Sequence, residues 1–522
     1  MTIWTMKTPS HHAADSSKAT RREWIGLAVI ALPCVLYSMD LTVLNLAVPR
    51  LSADLSPSSV QLLWIVDIYG FLLAGSLITM GTLGDRIGRR RLLLIGAGTF
   101  GAASVLTAFS TTAGRLIAAR ALLGVAGATL APSTLSLIRN MFVDANQRTT
   151  AIAVWVSSFS AGAAIGPVVG GLLLERFWWG SVFLPAVPVM ALLLVLGPML
   201  LPEFRNPQAG RLDLLSAALS MAAVLGVIYG LKQIAQDGIG LLPMVAIAAG
   251  IAIGSVFVWR QHALIEPLID LRLFRNSAFS VVLAMNVLDF FIGFGVMLFI
   301  TQYLQSVLGF SPLIAGLWMV PWALGFIVGS MVTPSLATRI RPAFVMAGGL
   351  VLAAVGYGVL TQVTVDAGLT RLVVGSVLLS VGLAPMTTLA TDIMVGTVPP
   401  ERAGAASSIS ETSSELGGAL GIAVLGSIGT AVYRGQVAGA VPDGVSADMM
   451  NAALSSVGGA TAIAQRLPPP IGAELLGVAR QAFTESFGVA AGISAGVAIG
   501  TAIVAAVLLR RVGKVPTEIP QR

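Results

Sequence analysis

Charged residues are scarce in this sequence, and cysteine is almost absent. Asp, Glu, Lys and Arg make up 11% of the 522 residues, whereas they make up about 25% of an ordinary soluble domain. This shortage of charge excludes a typical soluble protein. Cys34 is the single cysteine, which excludes an intramolecular disulfide and a metal site built from cysteines.

A phosphate-binding loop is also missing. The motif Gly-x-x-x-x-Gly-Lys-Ser/Thr does not occur, and no stretch has the length and polarity of a soluble domain that would carry one. We therefore expect neither an enzyme nor an ATP-driven pump, and no cofactor. The energy source that remains is an ion gradient.

Hydrophobic residues, by contrast, make up 56% of the chain. They form apolar segments of about 20 residues, long enough to cross a bilayer as helices. The pattern predicts an all-α integral membrane protein with fourteen transmembrane helices, and the even number places both chain ends on one side. The predicted spans are 24–48, 60–80, 91–110, 115–138, 151–174, 182–201, 213–235, 241–259, 277–303, 311–333, 343–361, 371–395, 403–433 and 487–509.

The distribution of basic residues predicts the orientation. With both termini in the cytoplasm, 22 of the 31 Lys and Arg residues lie inside and 8, including Lys232, lie outside. This excess agrees with the positive-inside rule. Because the basic residues occur in short clusters at helix ends, the net charge of +7 does not indicate nucleic acid as a partner. The partner that this pattern predicts is the lipid bilayer.

Two similar loops indicate an internal duplication. Residues 82–89 after the second span resemble residues 335–341 after the tenth. Two six-helix units with two helices inserted between them explain this offset, and parallel repeats of six helices build one class of secondary transporters. The pattern 471–483 is compatible with a short amphipathic helix. The predicted regions are a cytoplasmic tail 1–23, a six-helix bundle 24–201, two linker helices 202–276, a second six-helix bundle 277–509 with an extracytoplasmic loop 434–486, and a cytoplasmic tail 510–522.

Six charged residues lie inside predicted spans, where each costs about 2.5–3.5 kcal/mol and is usually functional. The alternative is a helix-end charge that reaches the lipid headgroups. A seventh, Asp392, is expected to be interfacial. The six candidates are Asp40, Asp67 and Arg120 in an outer layer, Asp289 and Glu415 near the midplane, and Glu411 in the inner half of its span.

Their positions predict two interactions. Arg120 has the depth to pair with either Asp40 or Asp67. Glu411 and Glu415 are four residues apart and share one helix face. Because two ionised carboxylates repel each other, this face favours a shared proton, which can be exchanged for a cation.

Glycine-rich patterns mark two further candidate regions. In the first, at 81–91, glycines permit a tight reversal of the chain, and Asp85 can pair with neighbouring arginines at the cytoplasmic face. The alternative for this region is a basic loop that only fixes the topology. In the second, glycines four residues apart let another helix approach closely and a proline adds a bend, which suits both packing and a pivot. The two sets are Gly81, Gly84, Asp85, Arg86, Gly88, Arg89 and Arg90, and Gly162, Gly166, Pro167, Gly170 and Gly171.

Four motifs in their expected order resemble the major facilitator superfamily. They are its cytoplasmic signature at 81–91, its helix-4 motif around Arg120, its antiporter motif at 162–171, and, at 39–49, the helix-1 signature of fourteen-helix drug:proton antiporters. The segments 63–69 and 415–421 are most similar to the group of QacA, SmvA and LfrA. The resemblance covers nearly the whole chain.

The resemblance implies a major facilitator fold and proton-coupled multidrug export from the cell inner membrane. The expected partners are protons and lipophilic cations such as quaternary ammonium compounds and dyes, with fluoroquinolones for some members, and the expected state is a monomer. It also implies proton and cation handling for Asp40, Asp67, Glu411 and Glu415 and proton transfer for Arg120, whereas Asp289 rests on its membrane position alone. Two alternatives remain: an exporter of an endogenous metabolite or lipid, and a membrane sensor that transports nothing.

Overall fold

The computed structural model describes residues 18–57, 59–205, 213–264, 267–269, 271–366, 368–399, 403–438, 449, 453–454 and 456–510. Most of the predicted tails and part of the predicted loop 434–486 lie outside these residues. The helices are α1 Arg21–Leu55, α2 Ser59–Ile87, α3 Arg89–Ala108, α4 Ala113–Met141, α5 Ala145–Arg176, α6 Ala186–Leu200, α7 Leu214–Asp237, α8 Leu241–Ala263, α9 Ser277–Gln302, α10 Pro312–Arg339, α11 Pro342–Leu360, α12 Gly368–Gly396, α13 Ala403–Ala438, α14 Val457–Ala464 and α15 Pro469–Leu508.

Fourteen segments are long and apolar enough to span a membrane. They correspond to all of these helices except the short α14, with α6 extended by the preceding turn to Trp179–Leu200. A helix satisfies its backbone hydrogen bonds internally, which is what a segment in lipid requires. The described part of the chain contains no strand. The prediction of an all-α membrane protein with fourteen transmembrane helices is confirmed.

Polar side chains fix where several helices begin. Thr112 accepts a hydrogen bond from the Arg115 amide at the start of α4, and Asp144 accepts one of 2.8 Å from the Gln147 amide at the start of α5. Asn276 caps α9 in the same way. Such caps satisfy amides that have no partner within the helix. The starts of α4, α5 and α9 are therefore encoded locally.

The buried apolar residues form two large cores. One consists mainly of residues from α1 to α6, and the other of residues from α9 onward. Between them in sequence, α7 and α8 pack closely, since a Cβ on Gly226 would lie 3.0 Å from the Gly250 Cα. Helix α7 also packs against α2 and α13. The domain boundaries given above stay a prediction.

The last membrane helix differs from its prediction. Residues 471–483 do not form a separate amphipathic helix, because they are continuous with the apolar span in the 40-residue α15. No proline follows Pro470 within this helix, so its hydrogen bonding is not interrupted. At 1.5 Å per residue, α15 is about 60 Å long, about twice the thickness of the hydrocarbon core.

The glycine-rich segment 81–91, which the sequence predicted to be a loop, is helical except at Gly88. Gly81 and Gly84 lie within α2, and the reversal occurs at Gly88, whose φ of 111° is a conformation that favours glycine. Gly81 instead permits close packing, because a Cβ there would lie 2.6 Å from the Gly404 carbonyl oxygen of α13. The expectation that all these glycines serve the reversal was wrong.

Candidate functional site

Arg120 and Asp40 form a buried ion pair between α4 and α1. The Arg120 Nη1 lies 3.5 Å from the Asp40 Oδ2, and Arg120 is 1% exposed. Its Nε donates a 2.6 Å hydrogen bond to the Ile65 carbonyl of α2. The guanidinium also lies 5.3 Å from the centre of the Tyr69 ring, within range of a cation–π contact. Of the two carboxylates that the sequence offered, Arg120 therefore pairs with Asp40.

Asp67 pairs instead with a residue that the sequence analysis had placed outside the membrane. The Lys232 Nζ lies 2.7 Å from the Asp67 Oδ1, and Lys232 lies within α7, not in an outer loop. The same ammonium lies 4.6 Å from the centre of the Phe71 ring. Lys232 was counted with the outer basic residues from the sequence, but it lies inside the candidate span Leu214–Ile234 and is paired with an acid of α2.

Glu411 and Glu415 share one face of α13, as their spacing predicted. The Tyr37 hydroxyl of α1 donates a 3.3 Å hydrogen bond to the Glu415 Oε1. Tyr37 also contacts the Tyr69 ring, at a centroid distance of 6.4 Å. A chain of contacts thus runs from Asp40 through Arg120, Tyr69 and Tyr37 to Glu415.

This chain of contacts is part of a group of charged residues from five helices, α1, α2, α4, α7 and α13. We use the name ion cluster for them throughout. Lys232 belongs to it, because it pairs with Asp67 of α2 and lies on α7, which packs against both α2 and α13. It contains four carboxylates and two cations, which form two ion pairs. The ion cluster consists of Asp40, Asp67, Arg120, Lys232, Glu411 and Glu415.

Asp289 lies apart from these contacts. It is 3% exposed, and its Oδ2 accepts a 2.8 Å hydrogen bond from the Thr387 hydroxyl of α12. Its Oδ1 has no hydrogen-bond partner among the described residues. One turn earlier, Asn286 donates to the Ser413 and Ser414 hydroxyls of α13 at 2.8 and 2.9 Å. Asp289 therefore contacts α12, whereas Glu415 contacts α1.

We call the helices α1 to α6 the first half and the helices from α9 onward the second half. Two polar contacts join these halves on the side where α1 begins and α15 ends, which we call the terminal face. The first is made by Asp85, which pairs with Arg89 at 2.7 Å. The same carboxylate accepts hydrogen bonds from the Gly404 and Ala405 amides of α13, at 3.2 and 3.1 Å. An acid at a helix N-terminus interacts favourably with the helix dipole. Asp85 therefore connects α2 to the start of α13.

The second contact joins α5 to α12. The Arg148 Nε lies 2.8 Å from the Asp392 Oδ1, and the Thr149 hydroxyl donates a 2.7 Å bond to the Asp392 Oδ2. Asp392 is 5% exposed, so the expectation of an interfacial residue was wrong. Its partner lies 244 residues away, and no local pattern indicates such a pair.

Other residues of the glycine-rich segment connect the α2–α3 turn to the end of α6, within the first half. Glu203, which follows α6, accepts hydrogen bonds from the Arg90 and Arg91 amides at 3.2 and 3.1 Å. The Arg90 Nη1 donates to the Leu201 carbonyl at 3.0 Å. A Cβ on Gly88 would lie 2.8 Å from the Glu203 Cδ. Arg90 and Gly88 thus fix the α2–α3 turn to the end of α6.

The glycine stripe places α5 between α1 and α10. A Cβ on Gly162 would overlap the Val35 carbonyl oxygen, and one on Gly170 would lie 3.1 Å from Val43 of α1. On the other side, a Cβ on Gly316 of α10 would lie 2.6 Å from Pro167. Gly166 is buried on the same helix, and Gly171 faces Leu313 of α10. Helix α5 thus contacts both halves along the stripe.

The described residues include no group of three or more His, Cys, Asp or Glu side chains that could hold a metal ion. The ion cluster contains two cationic side chains close to its carboxylates.

Comparison with known proteins confirms the resemblance that the motifs indicated. The family model for the Major Facilitator Superfamily matches residues 30–422. The multidrug efflux pump LfrA of Mycolicibacterium smegmatis is 44% identical over 486 residues, which are 93% of this chain and 96% of that protein. The methyl viologen resistance protein SmvA of Salmonella typhimurium is 36% identical over 476 residues, 90% of this chain and 94% of that protein.

Solved structures support the fold as well. The crystal structure of the human organic anion transporter MFSD10 superposes with a TM-score of 0.58 at 14% sequence identity. The match covers 93% of this chain and 100% of that one. At this identity, the likeness is evidence for the fold and not for a substrate.

Proposed function

The chain belongs to the Major Facilitator Superfamily, and on this premise we propose that it is a proton-coupled multidrug efflux antiporter. It exports lipophilic cations, such as quaternary ammonium compounds and dyes, across the inner membrane and takes up protons in exchange. It acts as a monomer. The observation that carries this proposal is the ion cluster, which connects the two halves through the hydrogen bond between Tyr37 and Glu415.

The charge balance of the ion cluster explains the exchange. Its four carboxylates and two cations leave two negative charges uncompensated when every acid is ionised. Uncompensated charge in a membrane interior is unfavourable, so the cluster takes up either protons or a cation. Since the same carboxylates serve both, binding of one disfavours binding of the other. Competition of this kind is the basis of antiport.

Arg120 connects proton uptake to movement of α1 and α4. An arginine side chain is a permanent cation. When Asp40 takes up a proton, Arg120 loses its carboxylate and keeps the Ile65 carbonyl and the Tyr69 and Phe183 rings. The change weakens the contact between α4 and α1. Asp40 is therefore the proposed proton carrier of the first half.

Asp289 is the proposed proton carrier of the second half. It receives one hydrogen bond, from Thr387, and its Oδ1 has no partner among the described residues. A buried, ionised carboxylate without a cation is strongly disfavoured, so the protonated acid fits this environment. We assign it proton binding and not direct contact with the exported cation.

The terminal face is the proposed cytoplasmic face, in agreement with the basic residues counted along the sequence. The two inter-half contacts, Asp85 with α13 and Arg148 with Asp392, keep this face closed. The segment with Gly81, Gly84, Arg86 and Arg89 acts with Asp85 as the inner gate. The stripe on α5 acts as the pivot on which the halves rock, as in other transporters of this architecture.

Dye transport by the purified protein in liposomes tests the proposal. A pH gradient is imposed, and ethidium movement is followed by fluorescence with and without a protonophore. We expect ethidium to move against the direction of proton flow, and to stop when the protonophore is added. Asp213→Asn is the matched control, because Asp213 pairs with Arg260 at 2.9 Å on the inserted helices, away from the ion cluster. Ethidium movement that is independent of the pH gradient contradicts proton coupling.

The same liposomes separate the two alternatives. If cell extract stimulates proton release and dyes do not, the protein exports an endogenous metabolite or lipid. If ligands bind but no counterflow occurs under any gradient, the protein is a sensor. Both outcomes overturn the multidrug assignment.

A further inference from the structure

The inserted helix α7 contributes a charge to the ion cluster, and the sequence motifs assign that charge no role. Lys232 is the residue concerned. It lies on α7, which packs against α2 of the first half and α13 of the second. The contact is close, because a Cβ on Gly75 of α2 would lie 3.0 Å from the Leu225 Cγ of α7. Packing thus holds the backbone of α7, which carries Lys232, against α2.

The surroundings of the Lys232 ammonium are those of an organic-cation site. Asp67 supplies a carboxylate oxygen at 2.7 Å, and the Phe71 ring centre lies at 4.6 Å. Trp64 and Tyr229 each lie 6.3 Å from Phe71, centre to centre. A carboxylate together with an aromatic face binds quaternary ammonium groups, and Trp64 and Tyr229 extend the aromatic cluster around Phe71. Here a side chain of the protein itself occupies this arrangement.

The Lys232–Asp67 pair is less buried within the protein than the Arg120–Asp40 pair. The Lys232 side chain is 35% exposed and the Asp67 side chain 20% exposed, whereas Arg120 and Asp40 are at most 10% exposed. Lysine also has a flexible stem, which lets its ammonium leave one partner for another. Lys232 can therefore be displaced from Asp67, but Arg120 is held in place by the Ile65 carbonyl and two aromatic rings.

We propose that Lys232 is an internal counter-ion which occupies an organic-cation site formed by Asp67, Phe71, Trp64 and Tyr229. In this way it sets the preference of the transporter between monocations and dications. This inference rests on the proposed function. With Lys232 present, two carboxylates of the ion cluster are uncompensated; without it, three are. Its removal favours dications over monocations, because each added negative charge attracts a dication twice as strongly.

Binding measurements on the full-length protein in detergent test this inference. The probes are tetraphenylphosphonium, a monocation, and methyl viologen, a dication, each titrated by calorimetry. For Lys232→Met we expect methyl viologen affinity to rise about tenfold relative to that of tetraphenylphosphonium, which corresponds to about 1.4 kcal/mol. Lys232→Arg keeps the charge and is expected to keep the wild-type ratio.

A second variant identifies the carboxylate. Asp67→Asn combined with Lys232→Met removes one charge of each sign, so the ratio of the two affinities is expected to return to the wild-type value. Arg260→Met, which removes a cation from the other inserted helix, is the matched control and is expected to leave the ratio unchanged. An increase in the ratio that persists in the double variant excludes Asp67 as the partner.

The outcomes distinguish this inference from the proposed function. If the wild-type protein binds both cations and Lys232→Met leaves their ratio unchanged, the internal counter-ion is refuted and the proposed function stands. If the wild-type protein binds neither cation, the proposed function fails, and the inference fails with it. If Lys232→Met loses affinity for both cations while Lys232→Arg binds normally, Lys232 holds the site in shape and is no competitor for it.

Discussion

Replacing Asp85 by Asn tests whether the contact between α2 and α13 holds the terminal face closed. The carboxylate accepts amide hydrogen bonds from both Gly404 and Ala405 and pairs with Arg89. Asn has nearly the same size, but it carries no charge and has a single acceptor oxygen. The substitution therefore removes the charge from the gate with little change in volume.

The magnitude follows from these contacts. A hydrogen bond to a charged group contributes about 1.5–3 kcal/mol, compared with about 0.5–1.5 kcal/mol for a neutral one. For the two amide bonds of Asp85, the loss is about 2 kcal/mol, because the residue is 7% exposed and little screened by water. Since 1.4 kcal/mol is a factor of about ten, the equilibrium shifts about thirtyfold toward a state that is open at the terminal face.

Thiol labelling measures this shift. Ser408 of α13 is fully buried and faces Gly81 of α2, so Ser408→Cys reacts only when the halves separate there. With Cys34 replaced by Ala, we expect Asp85→Asn to raise the labelling rate about thirtyfold and to leave equilibrium dye affinity nearly unchanged. Asp213→Asn is the control, because it removes a paired helix-capping acid from the start of α7 and not from between the halves.

One further variant separates the gate from general destabilisation. Asp85→Asn leaves the Arg89 guanidinium buried without its carboxylate, which is costly in itself. Adding Arg89→Gln removes this charge but does not restore the bonds to Gly404 and Ala405, so rapid labelling is expected to persist. Wild-type labelling in Asp85→Asn, or a loss of dye affinity at a wild-type labelling rate, refutes the gate.

Three other changes have defined outcomes. Asp40→Asn inserts normally but abolishes proton-coupled efflux, because Arg120 then has no exchangeable partner; wild-type efflux in liposomes contradicts the assignment. Glu415→Gln weakens dications about tenfold more than monocations, since each charge removed costs a dication more at low dielectric, and an equal loss in calorimetry argues against a direct counter-ion. Gly162→Val stops transport, since any Cβ there overlaps the Val35 carbonyl and separates α5 from α1; unchanged ethidium efflux from protein at normal membrane levels counts against the pivot.

Much of the fold was predictable, because a spanning helix depends on its own apolar length. The depth of a residue along its span is also readable from the sequence, and for this reason Arg120 was placed level with Asp40 and Asp67. Its choice of Asp40 was not predictable, because that choice depends on the rotation of α1, α2 and α4 about their axes. No single sequence contains that information.

Two residues were misplaced for a related reason. Lys232 and Asp392 lie within about a turn of the predicted span ends at 235 and 395, where a charge ordinarily reaches water or headgroups. Both are instead held by partners more than 160 residues away in the chain, Asp67 and Arg148. The sequence contained one indication for Lys232, the aromatic residues Tyr229 on α7 and Phe71 on α2. It contained no indication for Asp392.

The continuous α15 has a mechanical consequence. In a rigid rotation, displacement grows with distance from the axis, and about half of this helix of about 60 Å lies beyond the hydrocarbon layer. If the halves rock about the α5 stripe, the end of α15 near Pro469 sweeps a wider arc than any atom inside the bilayer. A fluorophore at that end, paired with one at the start of α4, converts a small hinge angle into a large change in energy transfer. The outer part of α15 therefore reports rotation of the halves as a large displacement, at a position away from the ion cluster.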